Sequence, residues 1–263
     1  MHRISILGPK GHSFSVVTAG EGPVVFLLHG FPLDHRLWES QLSSLSSEYR
    51  IVCPEFRGFG ATPISEDETY SLGDLADDVE LLRRHLAANE RITLVGLSMG
   101  GYVALEYWSR YAEHLSGLVL TNTKPNADDA AAKQGRLAMA DEVLRTNRND
   151  VVRGMLDKLL PTDVARDTRV QAERMMLDTS PRAIAVAQRA MAGRRDFTEQ
   201  LDEIDIPTLV LTGEMDQLAP VDSTRDWAAH IPGARFVSIG QCGHLSPLER
   251  PQEFNAALTQ FLN

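Results

Sequence analysis

The sequence predicts an α/β fold in which a mostly parallel sheet is interrupted by a helical insertion. Short apolar runs alternate with amphipathic helical patterns in the first half of the chain and again near its end. Strands that alternate with helices are joined by right-handed crossovers, which place them parallel in one sheet. Between residues 124 and 195 no run typical of a strand occurs. This middle segment therefore predicts a set of helices inserted into the α/β pattern.

The predicted strands are short runs of β-branched residues and leucine that end at a glycine or a polar residue, as is typical of strands buried on both faces. They are residues 24–28, 51–53, 92–95, 118–120, 206–211 and 235–239. The N-terminus differs, because residues 4–7 and 14–17 flank a Gly-Pro-Lys-Gly turn and predict an antiparallel hairpin at the sheet edge.

One helix is predicted from its periodicity. Leu72, Leu75, Val79, Leu82 and Leu86 recur every three or four residues, with acidic residues early and basic residues late. This charge order complements the helix dipole, so we expect an amphipathic helix across this segment.

Residues 124–195 also differ in composition. They hold 14 Lys plus Arg against 10 Asp plus Glu, a net charge of +4 within a chain of net charge −10, so the remaining residues carry −14. They lack aromatic residues but contain five of the eight methionines. We predict an α/β core domain formed by residues 1–123 and 196–263, with residues 124–195 as a helical cap over it.

Composition narrows the classes of function. A chain of 263 residues with an acidic balance lacks the excess of Lys and Arg that nucleic acids and anionic membranes attract, so we expect neither as a partner. No apolar run approaches the roughly 20 residues of a membrane span, and the N-terminus lacks the pattern of a signal peptide. With only Cys53 and Cys242, a cytoplasmic location is expected. His29 and His35 have no nearby cysteine or acidic cluster in sequence, so we expect neither a metal nor a cofactor.

A candidate nucleophile follows the strand at residues 92–95. The motif Gly96-Leu97-Ser98-Met99-Gly100 joins this strand to a helical pattern. A GxSxG string arises by chance in about one chain in ten of this length, but between a strand and a helix it predicts a tight turn that exposes the serine hydroxyl. The alternative is a serine that only caps the helix.

A serine hydroxyl needs a base and a group that orients the base. Asp216 follows the strand at residues 206–211, and His244 follows the strand at residues 235–239. We expect His244 to accept the proton of Ser98 and Asp216 to hold the imidazole tautomer. The other histidines fall in the terminal hairpin, after other strands or late in helices, whereas Asp222 and Asp226 lie close to Asp216 and leave a solvated or capping role open.

The loop His29-Gly30-Phe31-Pro32 follows the strand at residues 24–28. Acyl transfer needs two donors for the oxyanion, and the backbone N–H groups of Phe31 and Met99 are the candidates. Pro32 has no N–H to donate. His29 is a candidate substrate-binding residue, with a structural role in the turn as the alternative.

Five motifs in order resemble the serine α/β-hydrolase family, and they cover the chain from end to end outside the predicted cap. They are His29-Gly30-Phe31-Pro32, Arg57-Gly58-Phe59-Gly60, Gly96-Leu97-Ser98-Met99-Gly100-Gly101, Gly213-Glu214-Met215-Asp216 and Cys242-Gly243-His244 with Pro247, Glu249 and Pro251. The resemblance implies an eight-stranded, mostly parallel sheet flanked by helices and a cap inserted after the sixth strand. It also implies the triad Ser98, Asp216 and His244. The family often has Asp where Glu55 stands, which puts the hydrogen bonds of that loop, rather than catalysis, in question.

With serine at the nucleophile position, the chain is similar to carboxylesterases and 3-oxoadipate enol-lactonases. The serine argues against those members of the family that use aspartate or cysteine there. The resemblance thus implies hydrolysis of a small carboxylic ester or lactone. Two alternatives, a carbon–carbon bond hydrolase and a cofactor-free haloperoxidase or perhydrolase, use the same triad. A further alternative is a ligand-binding receptor with slow turnover on the same fold.

The predicted cap suggests a substrate class. Its excess of positive charge over an acidic core predicts a carboxylate-bearing substrate held by an arginine of the cap. The alternative is that these arginines are solvated or help to dock cap and core. Met139 and Met155 are candidate lining residues of an apolar entrance, with ordinary packing as their alternative role.

Overall fold

A single sheet of eight strands forms the centre of a computed structural model, which describes residues 1–263 apart from the side chain of Lys10. The strands are β1 (His2–Leu7), β2 (Ser13–Ala19), β3 (Val24–Leu28), β4 (Arg50–Pro54), β5 (Ile92–Leu97), β6 (Leu115–Thr121), β7 (Thr208–Gly213) and β8 (Arg235–Ile239). Their order is β1-β2-β4-β3-β5-β6-β7-β8. The pairs β1–β2 and β2–β4 are antiparallel and the other five are parallel. The predicted sheet and its antiparallel N-terminal hairpin are confirmed.

The central strands explain why their sequences are continuously apolar. Every residue of β3 and of β5 is buried, because helices cover both faces of the sheet. Burying a side chain such as Phe26 or Leu27 contributes about 1.5–3 kcal/mol. By contrast, β8 lies at the edge of the sheet and is partly exposed.

Helices connect and flank the strands. They are α1 (Glu39–Leu45), α2 (Leu72–Leu86), α3 (Met99–Tyr111), α4 (Ala130–Thr146), α5 (Leu156–Leu159), α6 (Arg166–Asp178), α7 (Pro181–Ala192), α8 (Val221–Ala228), α9 (Ser246–Glu249) and α10 (Pro251–Leu262). The helix α2 has the predicted bounds, and a capping box between Ser71 and Asp74 satisfies its first N–H groups. It packs against α3, while α1 packs against α10.

The register of the parallel strands aligns their carboxyl ends. Leu28 pairs with Gly96, Leu97 with Thr121, and Gly213 with Ile239. The residues that directly follow β3, β5, β6, β7 and β8 therefore emerge along one edge of the sheet. Ligand sites of α/β sheets form at this carboxyl edge.

Helices α4 to α7 lie between β6 and β7, and residues 124–195 contain no strand. These helices contact the rest of the molecule at several polar points, such as the hydrogen bond from Thr179 Oγ1 to the Pro32 carbonyl (3.2 Å) and the ion pair of Arg36 with Asp178 (2.8 Å). The division into a core domain and a cap with these boundaries stays a prediction. No helix within the described part of the chain has the length and apolar character needed to cross a membrane.

Candidate active site

Ser98 lies on a sharp turn between β5 and α3. Its backbone has φ 54° and ψ −112°, a conformation that residues other than glycine rarely adopt. The turn is stabilised on both sides, because Ser98 N–H donates to the Thr121 carbonyl (3.0 Å) and the Ser98 carbonyl accepts from Thr123 Oγ1 (2.8 Å). Strain of this kind persists only where the surroundings enforce it, and it is frequent at functional sites.

The glycines of the motif are required by close backbone contacts. A Cβ on Gly96 would lie 2.3 Å from the Gly100 carbonyl oxygen, and a Cβ on Gly100 would lie 2.3 Å from the Leu28 carbonyl oxygen. Both positions therefore admit only a hydrogen atom. This is the physical reason for the GxSxG pattern at this turn.

Asp216 and His244 lie side by side at the same edge of the sheet. His244 Nδ1 is 2.8 Å from Asp216 Oδ2, and both residues are almost fully buried. The Asp216 carboxylate also accepts N–H bonds from Leu218 (2.8 Å) and Ala219 (3.0 Å) through Oδ1. These bonds hold the carboxylate in one orientation.

The hydrogen bond to Asp216 determines the protonation of the His244 ring. A carboxylate can only accept, so Nδ1 carries the proton and Nε2 of the neutral ring is an acceptor. His244 Nε2 is buried and has no hydrogen-bond partner among the described residues. His244 and Ser98 line the same cavity. An unpartnered acceptor on a residue that shares the cavity of Ser98 suits a general base for the serine hydroxyl, and that role stays a prediction.

The environment of Asp216 keeps its carboxyl group ionised. Burial alone would raise its pKa, but the charge of His244, the hydrogen bonds from His244 and Asn122, and the backbone N–H of Ala219 lower the pKa to about 2. A charged carboxylate beside the imidazole favours the protonated ring, which is what a base held in this position would need.

Asn122, which the sequence analysis did not single out, is a further partner of Asp216. It follows β6, has φ 49°, and donates from Nδ2 to Asp216 Oδ2 (2.8 Å) and to the Gly243 carbonyl (3.1 Å). Its Oδ1 accepts from Ser246 Oγ (2.5 Å). Asn122 therefore ties the loops of Asp216 and His244 together. The only sequence signal was a polar residue two positions after the predicted strand at residues 118–120.

Glu249 holds the loop of His244 from the other side. Its two carboxylate oxygens accept the N–H groups of Gly243 (2.8 Å) and Leu245 (2.7 Å), the neighbours of His244 in the chain. The N–H of His244 itself donates to the Leu159 carbonyl at the end of α5 (2.8 Å). The three consecutive N–H groups of this loop are thus all bonded, which restricts the position of the imidazole.

One candidate oxyanion donor shares the cavity of Ser98, and the other follows Ser98 in the chain. Phe31 lines the cavity that also contains Ser98. Met99 is the first residue of α3, where the N–H groups of a helix have no acceptor within the helix. Both positions suit donors for a developing negative charge, and their assignment as the oxyanion hole stays a prediction.

His29 is placed away from the cavity lining, and its expected role in substrate binding is corrected. The ring is fully buried, with Nδ1 donating to the Gly30 carbonyl (2.9 Å) and Nε2 accepting from the Phe56 N–H (3.1 Å). Burial lowers its pKa, so the ring stays neutral. Since both nitrogens are bonded to backbone, His29 joins two loops and is not available to a ligand. This corresponds to the structural alternative.

A cavity of about 400 Å³ opens over Ser98 and His244. Met139 and Met155, the two candidate lining residues, lie in its wall together with Met191. Met175 and Met176 are fully buried in the core and do not reach it. A volume of this size suits a small organic molecule.

The loop of Glu55 makes the hydrogen bonds that were in question. The buried carboxylate accepts from Arg3 Nη1 (2.6 Å), from the Ala61 N–H (2.8 Å) and from His35 Nδ1 (2.5 Å). Gly60, with φ 55°, fits against it, since a Cβ there would lie 2.0 Å from Glu55 Oε1. The longer side chain is thus fully bonded.

In the folded molecule His35 lies in an acidic cluster that was not expected from the sequence. Asp34, His35 and Glu55 bring ligand atoms within 4.8 Å of one another, close enough to hold a metal ion. Arg36 pairs with Asp34 (2.6 Å) and Arg3 pairs with Glu55 (2.6 Å), however, so both carboxylates are already compensated. These residues fit an ion-pair network better than a cation site.

The fold and the strand-end residues define a class of protein. A family model described as alpha/beta hydrolase fold matches residues 23–251, and the chain belongs to this family.

Known members of this family are similar over their whole length. The chain is 33% identical to a thermophilic esterase from Thermogutta terrifontis, solved with malate bound, and the comparison covers 100% of this chain and 98% of that one with a TM-score of 0.94. It is 28% identical to 3-oxoadipate enol-lactonase 1 of Acinetobacter baylyi, over 100% of this chain and 97% of the relative. It is also 30% identical to the non-heme chloroperoxidase CPO-A1 of Kitasatospora aureofaciens, over 93% of this chain and 94% of the relative. The predicted esterase or lactonase type of hydrolase is supported by these names.

Proposed function

We propose that this protein is a serine hydrolase that cleaves a carboxylic ester or lactone of a small molecule through an acyl-enzyme on Ser98. The observation that carries the proposal is the 2.8 Å hydrogen bond between His244 and Asp216, which leaves His244 Nε2 as an acceptor in the cavity of Ser98. The esterase and enol-lactonase among the relatives support the same bond class.

The reaction follows from the roles of these groups. Ser98 Oγ attacks the carbonyl carbon while its proton passes to His244 Nε2, and the N–H groups of Phe31 and Met99 stabilise the oxyanion. Collapse of the tetrahedral intermediate breaks the ester bond, and His244 returns the proton to the alcohol oxygen. Water then attacks the acyl-enzyme, giving its proton to His244, and the acid is released as the proton returns to Ser98.

A labelling experiment tests this proposal. A fluorophosphonate should modify one residue of the wild-type protein, and Ser98→Ala should abolish both the modification and the hydrolysis of p-nitrophenyl esters. Ser43→Ala, which removes an exposed hydroxyl in α1, is the matched control and should leave both unchanged. Turnover that persists in Ser98→Ala would overturn the mechanism. Absence of turnover with every ester and lactone, despite ligand binding, would favour the receptor alternative.

A second activity is favoured by the chloroperoxidase among the relatives. If hydrogen peroxide replaces water in the attack on the acyl-enzyme, the product is a peracid instead of an acid, and no redox cofactor is needed. Peracid formation from acetate esters and hydrogen peroxide, measured with Ser98→Ala as the blank, tests this activity. A vinylogous 1,5-diketone in the same screen tests the carbon–carbon hydrolase alternative.

The natural partner is proposed to be a small molecule, in keeping with the size of the cavity. A cytoplasmic location remains the expectation from the sequence, and Cys53 and Cys242 are buried free thiols.

A further inference from the structure

One wall of the active-site cavity is strongly polar. Lys124, Asp128, Arg136 and Gln188 all line it, and the sulfurs of Met191 and Met139 lie against Arg136 and Gln188. Arg136 Nε donates to Asp128 Oδ2 (2.5 Å) and its Nη1 donates to Gln188 Oε1 (3.1 Å). This polar wall belongs to the same cavity as Ser98, so a ligand that reaches the serine also meets these charges.

The charges of the polar wall do not cancel. Asp128 is shared by two arginines, because its second oxygen lies 2.7 Å from Nη1 of the buried Arg194. Arg194 is fixed further by a hydrogen bond to the Asn126 carbonyl (3.0 Å) and by stacking 4.4 Å above the ring of Tyr102. With Lys124 counted, three cations lie near two carboxylates, Asp128 and the exposed Asp129 that caps α4. The site therefore carries an excess positive charge before any ligand binds.

Lys124 is the cation of this wall that has no protein partner. Arg136 and Arg194 are held by Asp128, whereas Lys124 forms no salt bridge or hydrogen bond with any described side chain or carbonyl. It is half-buried, and its pKa is lowered first by burial and then by the charges of Arg194 and Arg136. A half-buried ammonium that no carboxylate pairs with leaves its charge available to an anionic ligand group in the cavity.

Three arginines of the predicted cap are less suited to this role. Arg148, Arg153 and Arg189 pair at the surface with Asp150, Glu173 and Asp141. For these three arginines, the pairs fit the alternative of solvated side chains.

We infer that Lys124 binds a carboxylate of the substrate, so that the preferred substrates are esters or lactones that carry a free carboxylate, such as half-esters of dicarboxylic acids. This inference rests on the proposed ester hydrolysis at Ser98, and it replaces the cap arginine of the sequence analysis with a lysine at the start of the helical segment. The malate bound in the solved esterase is a dicarboxylate, which agrees in charge with such a ligand.

A matched pair of substrates tests the inference. The p-nitrophenyl half-ester of glutaric acid and p-nitrophenyl pentanoate differ only in a terminal carboxylate against a methyl group. The wild type should favour the half-ester in kcat/KM, and Lys124→Met should lower the ratio of the two kcat/KM values by about 10- to 100-fold, the usual contribution of a charge-assisted hydrogen bond. Lys133→Met makes the same change on an exposed face of α4 outside the cavity and should leave the ratio unchanged.

The outcomes separate this inference from the proposed function. An unchanged ratio in Lys124→Met overturns the inference, as does a fall in the ratio caused instead by Lys158→Met at the exposed rim of the cavity. Calorimetric binding of glutarate to the Ser98→Ala protein measures the anion site without any turnover. If glutarate binds and Lys124→Met weakens its binding while no ester is hydrolysed by the wild type, the anion site stands and the proposed hydrolysis fails. If glutarate binds the Ser98→Ala protein equally with and without Lys124→Met, the role of Lys124 is contradicted whatever the activity.

Discussion

His244 Nδ1 lies 2.8 Å from Asp216 Oδ2, and the same carboxylate oxygen accepts the amide of Asn122. The imidazole is therefore oriented by a carboxylate that is itself held in place. Asp216, Asn122 and Glu249 together maintain this geometry.

Replacing Asp216 with Asn should remove the control of the imidazole tautomer. The amide can donate to Nδ1 and so favour the proton on Nε2, where it prevents His244 from acting as a base. We expect kcat to fall by about 10⁴-fold with little change in secondary structure. Steady-state kinetics and circular dichroism test this, and a folded Asp216→Asn protein that retains more than a tenth of kcat would contradict it.

Asn122 should affect catalysis through its hydrogen bonds and not through its backbone conformation. Asn122→Gly removes the bonds to Asp216 and Gly243 but tolerates the φ of 49°, whereas Asn122→Ala removes the bonds and adds backbone strain. We expect kcat to fall by about 10-fold or more in both variants, with the larger loss of stability in Asn122→Ala. Wild-type kcat in Asn122→Gly would show that only the backbone matters.

Glu249 should act as a positioning residue for His244. In Glu249→Gln an amide N–H₂ must face the N–H of Gly243 or Leu245, so one hydrogen bond is lost and two donors are opposed. We expect the free energy of unfolding to fall by about 1–3 kcal/mol and kcat to fall more than KM changes. Glu253→Gln, at an exposed position of α10, is the control and should match the wild type in both measurements.

Stability at acid pH should depend on Glu55. The bonds from His35, Ala61 and Ser15 outweigh burial and lower the pKa of Glu55 from 4.5 to about 2. A depressed folded-state pKa means that its contribution is present above pH 4.5 and is lost as the pH falls toward 2, a difference on the order of 3 kcal/mol. Denaturant unfolding between pH 2 and pH 5 should show a smaller pH slope for Glu55→Gln than for the wild type. Equal slopes would count against this role.

Two glycines should respond in opposite ways to alanine. Gly100→Ala places a Cβ 2.3 Å from the Leu28 carbonyl oxygen and should destabilise the fold by more than about 3 kcal/mol, with loss of activity. Gly135 lies inside α4, and a Cβ there meets no atom within 4 Å, so Gly135→Ala should stabilise by about 0.5–1 kcal/mol. Thermal unfolding of the two variants compares them directly, and a destabilised Gly135→Ala would refute the second expectation.

Several features could be predicted because their signals are local. The helix Leu72–Leu86 follows from a run of apolar spacings and a capping serine, and β5 with its glycine turn follows from ten consecutive residues. The ends of strands were predicted less accurately. The strand β7 begins at Thr208 and not at the predicted Ile206, because Pro207 has no N–H to donate to a neighbouring strand. Asp216 and His244 could be proposed because each lies in the loop that follows a predicted strand, and parallel strands bring such loops to one edge.

By itself, the sequence determined the α/β class, the hairpin at the sheet edge and the candidates Ser98, Asp216 and His244, because each depends on neighbouring residues and on the order of strands. Only the tertiary structure decided which side chains become partners across long distances in the chain. Asn122 meets Asp216, Glu55 meets both Arg3 and His35, and His29 is enclosed by backbone. Whether a charge is paired depends on packing that no local pattern encodes, which is why Lys124 was distinguished from the arginines only in the folded molecule.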